Sequence, residues 1–141
     1  MDATLAAQAL FIAGAAVLGG LGSLHLVLTF FSTKFDPRDA ATASAMRATT
    51  PRITRATTVW RCWIGFNASH SLGAMLFGTV YLLLAVVHMA WLRESGALAW
   101  LAVAGSAAYL LLARRYWFRT PFIGMLAATA CFAGGATLLS V

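Results

Sequence analysis

Residues 60–78 read W-R-C-W-I-G-F-N-A-S-H-S-L-G-A-M-L-F-G. An aromatic and basic cluster, Trp60, Arg61 and Trp63, opens a stretch that carries no charge until Arg93. At about 1.5 Å per residue this exceeds the thickness of a bilayer core, so the stretch reads as a membrane-spanning helix. Yet Asn67, Ser69, His70 and Ser71 lie inside it. Polar side chains are costly in hydrocarbon, and where they occur they mark a bundle interior or a functional cavity. At 100° per residue, Asn67, His70, Ser71, Ala74, Gly78, Tyr81, Ala85 and His88 fall within an arc of roughly 100°. One face of this helix is polar and small, and the other is Leu, Phe, Met and Val.

The rest of the composition agrees with that reading. Of 141 residues, 61% are hydrophobic and only 10% are charged. A soluble domain of this size needs more charge to cover its surface, which makes the chain an integral membrane protein. Ten Lys and Arg stand against four Asp and Glu, a net charge of +6. In a soluble protein that excess would suggest a nucleic-acid partner; here its position relative to the apolar runs gives it another meaning, and no nucleic acid is expected. The two cysteines, Cys62 and Cys131, have no paired spacing and fall at different depths, which argues against a disulfide.

Four apolar runs organise the chain as one transmembrane domain, with spans at about 5–31, 62–89, 97–113 and 122–139. The first is not a signal peptide, since no Lys or Arg precedes it and it is too long for an h-region. Its Gly14, Gly19, Gly20, Gly22 and Ser23 allow close approach of another helix, as do Gly124, Ala128, Gly134 and Gly135 in the last run. Residues 32–61 form the long polar segment. Asp36-Pro37-Arg38-Asp39 looks like a helix start, with Asp36 as cap, and predicts a short helix to about Thr49. Thr50-Pro51 repeats the signal and predicts one continuous helix from about Pro51 through His88. Residues 91–96 read as a short connection between antiparallel neighbours. The fold class expected is an all-α, four-helix membrane bundle with a short amphipathic cytoplasmic helix between spans one and two.

Nine of the ten basic residues lie in two connections, six between spans one and two and three between spans three and four. The positive-inside rule places both connections in the cytoplasm and both termini outside it. Trp60, Arg61, Trp63, Arg114, Arg115, Trp117 and Arg119 then stand at the inner interface, facing lipid headgroups.

The chemistry is concentrated near that face. His25 is six residues from the inner end of span one and His70 eight from the inner end of span two, so both lie about 9 to 12 Å inside the same face. Sequential antiparallel helices could bring them together. Three readings apply to the cluster. Asn, Ser and His can be interhelical glue. They can line a pocket for a hydrophobic or lipid-like ligand, with His25, Asn67, Ser69, His70, Ser71 and Tyr81 as the candidate ligand-binding residues and acid–base catalysis by His as a subset. Or His25 and His70 can hold haem b, with Gly22, Gly73 or Ala74 leaving room for it and Arg61 near its propionates. A partner helix or a second copy of the chain is a further candidate for the small faces.

Other chemistries are excluded by missing residues. No Asp or Glu lies in any span, which removes a carboxylate ion relay and a hard-cation site. A zinc site would need a third ligand at the depth of His25 and His70, which only a Cys or Asn from elsewhere in the chain could supply, and no span carries a Lys for a Schiff base. The glycines lie within apolar helices, so none forms a phosphate-binding loop.

W-x-x-W-x-G-F-N-x-S-H-S-x-G at 60–73, H-L-x-x-T-F-F at 25–31 and A-R-R-Y-W-F-R-x-P-F-x-G at 113–124 together resemble a family of small uncharacterised four-helix inner-membrane proteins of bacteria. The resemblance covers most of the chain and implies a shared fold. It implies no activity and carries over no functional residue.

Overall fold

A computed structural model describes residues 2–140, and among them there are helices and no strands. The elements are α1 (Ala3–Phe31), α2 (Ala40–Ala48), α3 (Val59–Val87), α4 (Met89–Glu94), α5 (Gly96–Tyr116) and α6 (Arg119–Leu139). Helices α1, α3, α5 and α6 are each long and apolar enough to cross a membrane. Their outer faces carry exposed Leu24, Val27, Leu76, Leu83, Val86, Leu101 and Leu111. An apolar surface of that extent is stable in lipid and not in water. The chain is a multi-pass membrane protein.

It divides into two compact units, Gly22–Gly73 and the described residues on either side of it. The flanking unit is a four-helix bundle built on small residues. A Cβ on Gly78 of α3 would stand 2.7 Å from the Gly19 nitrogen and 2.8 Å from the Ala15 carbonyl oxygen of α1. Only the absence of a side chain lets those backbones approach so closely. Elsewhere a glycine receives a large side chain: Phe77 lies on Gly105, Leu21 on Gly124 and Phe11 on Gly135. Phe11, Phe77, Tyr81 and Phe132 meet at the centre with ring centroids 4.8 to 6.5 Å apart. Gln8 of α1 donates through Nε2 to the carbonyl of Ala85 at 2.8 Å. That carbonyl belongs to the last turn of α3, where intrahelical partners run out, so the bond satisfies a group that lipid could not.

The Gly22–Gly73 unit contains the end of α1, the α2 segment and the start of α3, and here the structure corrects two sequence-based expectations, with a third in the flanking unit. Helix α2 starts at Ala40, capped by Asp39 and not by Asp36. Asp39 accepts from the Thr42 N–H at 2.7 Å and from its hydroxyl at 2.6 Å, while the Asp36 N–H closes a turn onto Thr33. Second, Pro51 does not begin a helix. Residues 50–58 form a loop, and α3 starts at Val59 with the Thr58 hydroxyl accepting from the Arg61 N–H at 3.3 Å. Ile53, Thr54, Thr57 and Thr58 are β-branched, and threonine hydroxyls compete for backbone donors, which outweighs the cap-then-Pro signal. The Thr54 hydroxyl does this with the Ala56 N–H at 3.1 Å.

The third correction is at the other end of α3. The helix stops at Val87, His88 breaks it with φ −127° and ψ 39°, and 89–94 is helical where a plain connection was expected. The His88 ring stacks on Trp91 at 4.8 Å. Ser95 caps α5, accepting from the Leu98 N–H. Helix α5 takes in Tyr116 and thereby reaches spanning length. Pro121 falls in the first turn of α6, where no N–H is missed.

Candidate functional site

The candidate site lies within the Gly22–Gly73 unit and is built by a chain of hydrogen bonds. Trp63 Nε1 donates to the Phe35 carbonyl at 3.1 Å, which ties the first turns of α3 to the chain after α1. One turn on, Asn67 Nδ2 donates to the Trp63 carbonyl at 2.8 Å. The other end of the Asn67 amide, Oδ1, lies 3.0 Å from His25 Nε2. A carbonyl can only accept, so the amide nitrogen must face Trp63 and the amide oxygen His25. His25 Nε2 is therefore the donor, and in the neutral ring Nδ1 is the acceptor. Asn67 is 1% exposed and both ends of its amide are used.

Helical periodicity carries His70 to the same side, three residues beyond Asn67. Its ring meets that of His25 edge to face, with centroids 5.4 Å apart and planes at 72°. Aromatic rings flank the pair. Phe35 lies 4.4 Å from His25, and Phe66 lies nearly parallel to His70 at 6.4 Å. Both imidazoles are half-buried, while Phe66 is exposed.

The remaining polar residues serve their own helices. Ser71 donates to the Asn67 carbonyl at 2.8 Å, and Thr29 to the His25 carbonyl at 2.8 Å, so each member of the His25–Asn67 pair is braced from the residue four positions later. Ser69 is exposed and donates to the Phe66 carbonyl at 3.0 Å. With the hydroxyl donors of Ser69 and Ser71 spent on their own helix and Asn67 bonded at both ends of its amide, the acid–base capacity of the cluster lies with the two imidazoles.

Of the six candidate residues, the structure brings His25, Asn67, His70 and Ser71 together. Tyr81 belongs to the flanking bundle. It is buried among Phe11, Phe77 and Phe132, and its hydroxyl donates to the Leu98 carbonyl at 3.0 Å. Residues that periodicity did not single out are Phe35 and Phe66, whose rings flank the histidines. Phe35 follows the end of α1, beyond the reach of any helical pattern, and only the Trp63 bond reveals its place.

Two imidazoles sharing one haem iron bind it from opposite sides of the macrocycle, with centroids about 6 Å apart given metal–nitrogen bonds of about 2 Å. Here the rings touch edge to face, and His25 gives Nε2 to Asn67. A haem iron held between these rings would require His25 Nε2 to leave Asn67. No group of three or more His, Cys, Asp or Glu side chains placed to hold a metal ion occurs among the described residues.

The residues expected at a headgroup interface are distributed as follows. The Arg47 guanidinium lies 4.6 Å over the Trp60 ring, and Arg61 is exposed at the start of α3. In the flanking bundle Arg114, Arg115 and Arg119 are exposed where α5 ends and α6 begins, with Arg115 5.3 Å from the Tyr116 ring. Trp117 packs on the cluster of Leu18, Ala113, Met125 and Ala128.

Comparison with known proteins adds no assignment: no family model matches the chain, and neither the curated proteins nor the solved structures yield a match.

Proposed function

We propose that this is a small membrane protein that binds the polar head of a hydrophobic, lipid-like ligand at the His25–His70 pair. The observation carrying this reading is the pair itself: two half-buried imidazoles in edge-to-face contact within spanning helices, one of them held in a set tautomer by a buried amide. Hydrogen bonding within a helix is served by Ser71 and Thr29, and bonding between helices by Gln8 and Tyr81, without an imidazole. An imidazole is chosen where a group must donate, accept or titrate near neutral pH. The flanking Phe35 and Phe66 rings suit an acyl or isoprenoid chain beside a polar head.

The membrane of the proposal is the bacterial inner membrane, with both termini outside the cytoplasm, on the strength of nine basic residues in two connections. A reporter fused to the C-terminus is then active only outside the cytoplasm. Cytoplasmic activity would reverse the orientation.

Ligand binding is tested by native mass spectrometry of the protein released from its own membrane. The expected result is a co-purifying amphipathic molecule that His70→Gln loses at unchanged helicity, because glutamine keeps hydrogen bonding but neither titrates nor ligates as imidazole does. Retention of every bound lipid by both His70→Gln and His25→Gln would overturn the reading. A visible absorption band lost in His25→Ala and His70→Ala would replace it with haem.

A further inference from the structure

The loop between α2 and α3 is closed at its neck and charged at its tip. The Val59 N–H donates to the Thr49 carbonyl at 2.9 Å and draws the two ends together. Inside, the Thr54 N–H returns to the Pro51 carbonyl at 3.3 Å, and the Ala56 N–H to the Thr54 hydroxyl at 3.1 Å. The backbone thereby shapes the tip, Arg52-Ile53-Thr54-Arg55. It presents Ile53 at 92% exposure between two exposed arginines. Such a side chain gains nothing from water, and a loop held in shape cannot fold it away.

Two further facts say what covers it. The neck bond joins the loop to Val59, the first residue of α3, beside Trp60 with Arg47 over its ring. Indole rings and arginines at the end of a spanning helix mark the headgroup layer, so the loop is rooted there. No acidic residue occurs between Asp39 and Glu94, which makes the charge of the loop and its surroundings in sequence wholly cationic. The complement of an exposed isoleucine between two arginines at that level is an acyl boundary beneath anionic phosphates.

We propose that residues 50–58 are a membrane-surface anchor: Ile53 enters the boundary between headgroups and acyl chains, while Arg52 and Arg55 pair with the phosphates of anionic phospholipids. The anchor stands independently of the histidine pair. It fixes the segment leading into α3, and with it the level at which Trp60 and Trp63 enter the membrane.

The test uses the full chain with Cys62→Ser and Cys131→Ser, labelled with bimane through Ile53→Cys. The protein is reconstituted into vesicles of phosphatidylcholine alone or of equal parts phosphatidylcholine and phosphatidylglycerol, with and without spin-labelled lipid. Blue-shifted emission quenched by the spin-labelled lipid is expected, more strongly with phosphatidylglycerol. Arg52→Gln and Arg55→Gln should each lower the ratio of inserted to water-exposed label about fivefold in the anionic vesicles. Unchanged circular dichroism and melting in detergent separate loss of insertion from loss of folding. Water-like emission in both vesicles would overturn the proposal, as would shielding that appears only when a soluble acidic protein is added. Equal insertion in the two lipids would overturn its anionic half.

Discussion

Asn67 sets the tautomer of His25. Its Nδ2 is given to the Trp63 carbonyl at 2.8 Å, so its Oδ1 is what faces His25 Nε2 at 3.0 Å. The buried amide thus transmits the position of a backbone carbonyl on one helix to the proton of an imidazole on another. A half-buried imidazole is thereby given a defined donor and acceptor.

Asn67→Ala should therefore do more than leave a void. The His25 N–H loses its acceptor, at a cost of about 1 to 3 kcal/mol, read as a lower melting temperature in detergent. Nitrogen-15 shifts of the His25 ring should change from a single Nε2-protonated form to a mixture. An unchanged ring spectrum would show that the amide does not govern it.

Tyr81 should behave as a packing residue. Tyr81→Phe removes one hydrogen bond to the Leu98 carbonyl and leaves the aromatic cluster filled, so stability should fall by about 1 kcal/mol. Bound lipid should be unaffected in the same preparation. Loss of ligand without loss of stability would return Tyr81 to the binding site.

The glycines of α3 should separate sharply. At Gly78 an added Cβ meets backbone atoms of Gly19 and Ala15 within 2.9 Å, and backbone cannot rotate away. Gly78→Ala should cost about 1 to 3 kcal/mol through forced separation of the helices. At Gly65 the same methyl meets nothing within 4 Å. Gly65→Ala should be neutral or stabilising by up to about 1 kcal/mol, the helix propensity gained. Paired melting curves decide the matter, and equal effects would contradict the close approach.

Asp39 should make α2 sensitive to acid. The Thr42 hydroxyl, and after it the Thr42 N–H, hold its carboxyl below the ordinary aspartate range. A depressed folded value means the cap stabilises fully above about pH 4 and weakens as pH falls through the folded value. Amide exchange at Thr42 should accelerate over that acid window. Asp39→Asn, which caps without titrating, should abolish the pH dependence and keep the helix.

The sequence by itself determined the spanning helices. Length, apolarity and the missing charges between Arg61 and Arg93 act locally, because lipid leaves a backbone no choice but to bond within its own helix. The 3.6-residue period placed Asn67, His70 and Ser71 on one face before any partner was known. Tertiary structure alone decided the rest. Tyr81 shares a helical face with His70 but is drawn into an aromatic core by Phe11 and Phe132, residues far away in the chain. In the Phe35–Trp63–Asn67–His25 sequence of bonds only Trp63–Asn67 follows the helical period; the other two join residues 28 and 42 positions apart, which no local pattern encodes. Periodicity assigns a residue to a face, whereas a hydrogen bond needs the partner's atom within about 3 Å, and only the packed chain supplies that.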